Sequence, residues 1–137
     1  MSNELPGDPA DPQQAQNAST AISNLIVRLL SEYTGRGPRK ARTYMSDDVI
    51  SVVVRDTLTK GEQSLVREGH EDHVLATREL YQRTMRAAIV EGVEEITGRK
   101  VIAFLSANHL DPDLGVETMI MEPRQSDRGT ETTADAG

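Results

Sequence analysis

The sequence contains no cysteine and no tryptophan, and aromatic residues make up only 3% of it. Without cysteine the chain cannot form disulfides, thiolate nucleophiles or zinc–thiolate sites. No apolar run approaches the ~20 residues that a transmembrane helix needs, so we expect no direct insertion into a membrane. The polar, proline-containing start lacks the basic and apolar segments of a secretory signal, which predicts a cytoplasmic protein.

Positive charge is also in short supply. The chain has 15 Lys and Arg against 22 Asp and Glu, for a formal net charge of -7. Binding to nucleic acid depends on a basic surface that neutralises phosphates, and stacking on single strands needs aromatic side chains. We therefore expect no nucleic-acid partner, and a transcriptional regulator is the least favoured function, since no helix-turn-helix pattern is recognisable.

Catalytic signatures are missing as well. The sequence has no Gly-x-Ser-x-Gly elbow, no Ser-x-x-Lys and no glycine-rich nucleotide loop. Turn chemistry or a solvated helix face explains each pair of neighbouring carboxylates, which are Asp47 and Asp48, Asp111 and Asp113, and Glu94 and Glu95. We expect a protein that is not an enzyme and that uses no cofactor.

The histidines do not form a recognised metal motif. His70 and His73 are three residues apart, whereas the zinc protease pattern places two histidines at i and i+4 around a glutamate. A solvated helix start explains them better, because acidic residues such as Glu71 and Asp72 favour the first turn. His109 is expected on a surface loop, so no metal site is predicted.

Composition divides the chain into one domain and two tails. Residues 1–10 and 123–137 are rich in Pro, Gly, Asp, Ser and Thr and have almost no large apolar side chains. Such segments cannot offset the entropy of ordering, so both are predicted to be disordered tails. Residues 11–122 are predicted to form a single domain.

The domain begins with a helix. Asp11 and Pro12 resemble an N-cap followed by proline at the first helical position. Gly35 and Gly37-Pro38 are expected to end the helix. Its apolar residues recur every three or four positions and make one stripe, namely Ile22, Leu25, Ile26, Leu29, Leu30 and Tyr33.

Two further helices are predicted in the middle of the chain. Thr59 and Glu62 have the spacing of a capping box that opens a short helix, which Gly69 breaks. A longer helix then runs to Gly98, with Arg78 among the charged residues of its solvated face. Its predicted buried stripe consists of Val74, Tyr81, Met85, Ala88, Ile89, Val93 and Ile96.

Two β-hairpins complete the pattern. The first spans Ala41 to Asp56 around Ser46-Asp47-Asp48, and the second pairs Val101–Ser106 with Val116–Met121 across a turn-rich connection from Asn108 to Asp113. The order α-ββ-αα-ββ predicts an α+β fold of two layers, with a four-stranded, largely antiparallel sheet packed against three helices. Apolar residues on both faces of the strands predict a homodimer that covers the second face.

A basic segment follows the first helix. It consists of Gly35, Arg36, Gly37, Pro38, Arg39 and Lys40, with Arg42 just beyond. Glycines let backbone amides approach an anion, and clustered arginines bind carboxylate or phosphate bidentately. The alternative is structural, since cations complement the C-terminal end of a helix dipole and Gly-Pro is common in turns. This segment is the candidate binding site for an anion or a partner.

Several of these segments, in this order, resemble the bacterial MpsC-like family, which is named for a Na+-translocating membrane potential-generating system. They are Tyr33-Thr34-Gly35-Arg36-Gly37-Pro38, Arg42-Thr43, Asp48-Val49-Ile50, Leu58-Thr59 with Glu62 and Leu65, and Ile96-Thr97-Gly98 with Val101. The second hairpin departs from the family pattern at Asn108-His109 and at Met119 to Met121.

The resemblance implies a soluble accessory protein, associated in some bacteria with membrane components of cation flux and inorganic-carbon uptake. It brings no catalytic residues. The leading hypothesis is a non-enzymatic accessory or regulatory module, homodimeric, that contacts a membrane transport complex or another protein partner through Arg36 to Arg42. The alternative is a homodimer that senses a small anion, such as bicarbonate, phosphate or a carboxylate, with the same segment.

Overall fold

The computed structural model describes residues 11–124 and has three helices and four strands in the predicted order. The helices are α1 (Pro12–Thr34), α2 (Lys60–Arg67) and α3 (Glu71–Thr97), and the strands are β1 (Lys40–Ser46), β2 (Val49–Arg55), β3 (Val101–His109) and β4 (Leu114–Met121). The predicted tail at 1–10 lies outside the described residues, as does 125–137 of the second tail. Pro123 and Arg124 are described and belong to no helix or strand.

The predicted helix ends are confirmed. Asp11 accepts a hydrogen bond from the Gln13 amide at 3.0 Å, and Pro12 is the first helical residue. Thr59 and Glu62 form the reciprocal hydrogen bonds of a capping box at the start of α2. Gly35 and Gly98 adopt left-handed conformations, with φ of 80° and 66°, at the ends of α1 and α3.

The four strands form one antiparallel sheet in the order β1-β2-β4-β3. The two hairpins therefore meet along β2 and β4, and β1 and β3 lie at the edges. Strand register puts Thr43, Val52, Glu117 and Ser106 in one row across the sheet. Because successive side chains of a strand point to opposite faces, this row shares the face that is covered by the helices.

The hydrophobic core lies between this face and the helices. Ile22, Ile26 and Leu29 of α1 and Met85, Ile89 and Val93 of α3 pack with the inward residues of β2 and β4. Those strand residues are Ile50, Val52, Val54, Met119 and Met121. The α+β fold and its two layers are thus confirmed.

One side of α3 was predicted wrongly. Tyr81 is 36% exposed, whereas Arg78 and Gln82 are 6% and 9% exposed. The buried positions follow helical spacing from Val74 through 78, 82, 85 and 89, and Tyr81 lies beside that line. Polar side chains occupy two of these positions because the structure gives both of them hydrogen-bond partners.

The second hairpin also extends further than the sequence predicts. β3 continues through Asn108 to His109, and β4 begins at Leu114, which shortens the turn to residues 110–113. Asn108 exchanges two hydrogen bonds of 2.9 Å with the side-chain amide of Gln82. This contact with α3 explains why a residue typical of turns lies within a strand.

Candidate functional site

The two glycines of the predicted basic segment have structural roles. Gly35 holds the left-handed conformation that ends α1, with its amide donating to the Ser31 carbonyl at 3.0 Å. A Cβ atom on Gly37 would lie 2.5 Å from Ser31 Oγ. The end of α1 therefore accounts for Gly35, Gly37 lies against the Ser31 side chain, and Pro38 follows where the chain turns toward the sheet.

The basic side chains of the segment are divided between two locations. Arg36 is half-buried and donates from Nε to the Asp56 carbonyl at 3.3 Å, and the Arg39 amide donates to the Arg55 carbonyl at 2.9 Å. These bonds fasten the segment to the end of β2. Lys40 and Arg42 belong to β1, so they project from the sheet and not from a loop.

Lys40 and Arg42 lie on the face of the sheet that points away from α1 and α3, which we call the open face. Strand register arranges this face in four rows. From one end to the other the rows are Lys40–Arg55–Leu114–His109, Arg42–Val53–Val116–Ala107, Tyr44–Ser51–Thr118–Leu105 and Ser46–Val49–Ile120–Ala103.

Large apolar side chains are exposed on the open face. Tyr44, Val49 and Leu105 are 51%, 41% and 60% exposed, and Ile102 at the bulge of β3 is 57% exposed. Val53, Val116 and Ile120 lie between them. Single exposed apolar residues are ordinary, but several on one sheet face indicate an interaction surface, here interrupted only by the hydrogen-bonded hydroxyls of Ser51 and Thr118 among the uncharged positions of β2 and β4. No helix within residues 11–124 covers this face.

One end of the open face is basic. Lys40 and Arg55 are direct neighbours across β1 and β2, and Arg42 lies one row away with its guanidinium 5.1 Å from the centre of the Tyr44 ring. None of the sixteen positions in the four rows is a carboxylate. Sequence reasoning missed Arg55, although the two-residue turn at Asp47-Asp48 fixes the register that pairs it with Lys40.

A buried polar cluster lies on the opposite face of the sheet, under α3. Glu117 is 3% exposed, and its two carboxyl oxygens have separate partners. Gln82 Nε2 donates to Oε1 at 3.2 Å, while Ser106 Oγ makes a short hydrogen bond to Oε2. Asn108 completes the cluster through its two bonds with Gln82.

The environment of Glu117 favours its neutral form. Burial raises the pKa of Glu117 from 4.5 to about 7, although the hydrogen bonds from Ser106 and Gln82 and the positive charge of Arg78 act in the opposite direction. The alternation of β4 could have revealed this residue, since Glu117 is in phase with the buried residues Met119 and Met121.

A second set of buried polar groups adjoins this cluster. Arg78 Nε lies 3.3 Å from Glu62 Oε2 on α2, and its guanidinium donates to Thr57 Oγ1 at 2.6 Å. Asp113 accepts from Thr57 Oγ1 at 3.1 Å and from the Leu58 amide at 2.8 Å. Asp113 therefore anchors the β2–α2 connection, in addition to its expected place in the hairpin turn.

The remaining candidates from the sequence are dispersed. His70 precedes α3, His73 lies in its first turn, and both are exposed; His109 lies at the end of β3, on the open face. Across residues 11–124, no group of three or more His, Asp or Glu side chains is arranged to hold a metal ion. Asp48 pairs with Arg99 at 2.7 Å, and Glu94 accepts from the Val101 amide at 2.8 Å.

The fold defines a two-layer α+β domain with one open sheet face. The chain belongs to the MpsC family: the family model described as "Na+-translocating membrane potential-generating system (MpsC)" matches residues 14–123. It is also similar to "Uncharacterized protein YrhF" of Bacillus subtilis (strain 168), at 24% identity over 103 residues, which are 74% of this chain and 84% of that protein. No solved structure matches the chain.

These comparisons confirm the resemblance based on the sequence segments. The family description associates the family with a membrane potential-generating system. In the described part of this chain, none of the helices combines the length and apolar character needed to cross a membrane.

Proposed function

We propose that the protein is a non-enzymatic accessory or regulatory module of a membrane potential-generating system, and that it binds a protein component of that system through the open face. The observation that carries this proposal is the largely apolar open face, with Val53, Val116 and Leu105 around the hydrogen-bonded Ser51–Thr118 pair, bordered at one end by Lys40, Arg42 and Arg55. Family membership supports the association with a membrane system.

The chemistry of the open face determines what its partner presents. Interfaces combine an apolar centre with a rim of complementary charge. Here the four rows are largely apolar apart from the hydrogen-bonded Ser51–Thr118 pair, and the charged residues within them, Lys40, Arg42 and Arg55, are all cationic, on a chain with a net charge of -7. The expected partner surface is therefore an apolar patch with carboxylates on one side, on a part of the membrane component that is exposed to water.

A pull-down from detergent-solubilised membranes of the native host tests this proposal. The bait proteins are the wild type, Leu105→Arg and Arg42→Glu/Arg55→Glu, with Leu80→Arg and Arg28→Glu as matched controls. Leu80 on α3 is 59% exposed, compared with 60% for Leu105, and Arg28 is an exposed arginine of α1. Leu80→Arg thus matches Leu105→Arg on the helical layer, and Arg28→Glu places a single charge reversal there.

The expected result is an integral membrane protein that the wild type and both controls recover and that both open-face variants lose. The same component, once purified, should bind the wild type directly and should not bind Leu105→Arg. Retention of the membrane protein by the open-face variants would overturn the proposal. Recovery of the bait chain alone would also overturn it and would favour the second candidate.

The second candidate is a homodimer that senses a small anion, with the open faces of two copies stacked on each other. Its supporting observation is the location of Asp47, an exposed residue in the turn at the end of the face opposite Lys40 and Arg55. A two-fold axis that runs parallel to the sheet and perpendicular to its strands would stack the two open faces. It would bring the basic end of each copy near Asp47 of the other. Light scattering coupled to size exclusion tests the dimer, since Leu105→Arg should be monomeric while Leu80→Arg stays dimeric.

A further inference from the structure

A cleft between α3 and β3 lies on the helical side of the sheet, separate from the open face. Its volume is about 220 Å³, and it is lined by Glu79, Gln82, Arg83, Arg86, Phe104 and Ser106. Sites for drug-sized ligands usually exceed about 300 Å³, so this cleft suits a smaller solute. Neither the motifs of the sequence nor the proposed function assigns a role to it.

Two of the residues that line the cleft are arginines without a carboxylate partner. Arg83 and Arg86 are three residues apart on α3, so both side chains reach the same side of the helix. Arg86 places its guanidinium 5.6 Å from the centre of the Phe104 ring. Among the described residues, neither arginine lies within ion-pairing distance of a carboxylate, although Glu79 also lines the cleft.

The floor of the cleft is joined to the buried carboxyl. Gln82 and Ser106 line the cleft, and each is hydrogen-bonded to one oxygen of Glu117. While Glu117 is ionised, the Ser106 hydroxyl donates its hydrogen bond to Oε2. It then has no hydrogen bond to donate to a solute in the cleft. Once Oε2 is protonated, its O–H can donate to Ser106 Oγ, and the serine proton becomes free to point into the cleft.

We propose that this cleft binds a small tetrahedral oxyanion, such as inorganic phosphate or sulfate, held between Arg83 and Arg86 with the Ser106 hydroxyl as a third donor. Guanidinium groups recognise such oxyanions through paired, charge-assisted hydrogen bonds. The bound anion favours protonated Glu117, because protonation removes a like charge and supplies the serine donor. The cleft thus couples anion binding to proton uptake.

Arg78, and Asp113 joined to it through Thr57, do not replace Glu117 in this coupling. Arg78 on α3 faces Glu117, but its guanidinium is paired with Glu62 of α2. Asp113 in the β3–β4 turn is held by Thr57 and the Leu58 amide. The strand neighbours of Glu117 in its row are Val52 and Ser106, which carry no charge.

Titration of the ¹⁵N-labelled full chain with sodium sulfate tests the proposal, with sodium chloride holding the ionic strength constant. Sulfate keeps its charge near neutral pH, so it does not add a titration of its own. We expect saturable changes in the backbone amide chemical shifts, centred on Phe104, Ser106 and the α3 residues of the cleft. Arg83→Gln and Arg86→Gln should each weaken binding about tenfold, whereas Arg67→Gln, an exposed arginine of α2, should leave it unchanged.

The pH dependence of sulfate binding gives a second and independent measurement. Affinity should fall as the pH rises through about 7, and Glu117→Gln, which keeps an acceptor for Gln82, should make the affinity nearly independent of pH. No saturable shifts in the wild type, or equal affinity in the arginine variants, would overturn the site. Unchanged pH dependence in Glu117→Gln would overturn the coupling. None of these results depends on the open face, so they stand apart from the partner-binding proposal.

Discussion

Gln82 on α3 and Glu117 on β4 meet across the interior of the domain, with Gln82 Nε2 3.2 Å from Glu117 Oε1. Glu117 stands in a row between Val52 and Ser106, at a position where an apolar side chain would pack without any need for partners. The contact connects the long helix to the sheet. It also places a titratable carboxyl in the interior, so the stability of the fold depends on pH.

The first prediction concerns that pH dependence. Glu117 has a pKa of about 7 in the folded chain and an ordinary value of 4.5 when unfolded. The folded state therefore binds the proton more tightly, so this residue favours folding at low pH, and that contribution declines as pH rises from about 4.5 to about 7. The wild type should lose about 3 kcal/mol relative to Glu117→Gln over this range.

Urea denaturation of both proteins at a series of pH values measures this difference. Because all other titrating groups are shared, the difference between the two stability curves isolates Glu117. The two curves should diverge between the unfolded and folded pKa and run parallel above about pH 8. Parallel curves throughout would show that Glu117 ionises as easily when folded as when unfolded.

The second prediction concerns Arg78, whose Nε lies 3.3 Å from Glu62 Oε2 in a largely buried pair. Arg78→Met removes the guanidinium charge and leaves the Glu62 carboxylate unpaired in a poorly solvated position. This should destabilise the fold by about 3 kcal/mol. Arg78→Met/Glu62→Gln should recover part of this loss, because it also removes the unpaired charge. In the wild type the Thr59 backbone amide donates to Glu62 Oε1 at 2.9 Å, and the side-chain oxygen of glutamine can accept the same hydrogen bond. Thermal and urea unfolding of the wild type and both variants measure the effect.

A double variant no more stable than Arg78→Met would contradict this account. It would mean that the lost hydrogen bond from Arg78 to Thr57, and not the isolated charge, causes the damage. Glu62→Gln alone is the matched control, since it removes the carboxylate and leaves Arg78 bound to Thr57.

The sequence predicts the elements of this fold well where local chemistry decides them. Asp11, Gly35 and Gly98 act at helix ends through their own side chains or backbone conformations, so single residues are sufficient signals. Arg78 was misplaced for the opposite reason. Its burial depends on Glu62 and Thr57, which come together only in the folded domain.

The candidate surfaces show the same distinction. Clustering along the sequence drew attention to Arg36, Arg39 and Lys40, yet the basic end of the open face pairs Lys40 with Arg55, fifteen positions away, through strand register. The α3–β3 cleft combines residues from 79 to 106, and no local motif marks it. Surfaces assembled by tertiary pairing require the register and the helix packing to be known first.

The third prediction concerns the close approach of α1 and α3 at Gly92, where a Cβ atom would lie 2.5 Å from Leu25 Cδ2 and 2.9 Å from Cδ1. Within a helix, alanine is favoured over glycine by about 1 kcal/mol. Against this, Leu25 is 7% exposed and belongs to the core, so moving it should cost about 1–3 kcal/mol. Gly92→Ala should therefore destabilise the wild type by up to about 2 kcal/mol, the difference between these two contributions.

The effect of Gly92→Ala on stability should reverse its sign when Leu25 is replaced by alanine. In a Leu25→Ala background the two clashing methyl groups are gone, and Gly92→Ala should stabilise the chain by about 1 kcal/mol through helix propensity alone. A thermodynamic cycle from urea denaturation of the four proteins measures this reversal, and it is insensitive to the large cost of Leu25→Ala itself. An equal effect of Gly92→Ala in both backgrounds would mean that contact with Leu25 does not set the distance between the two helices.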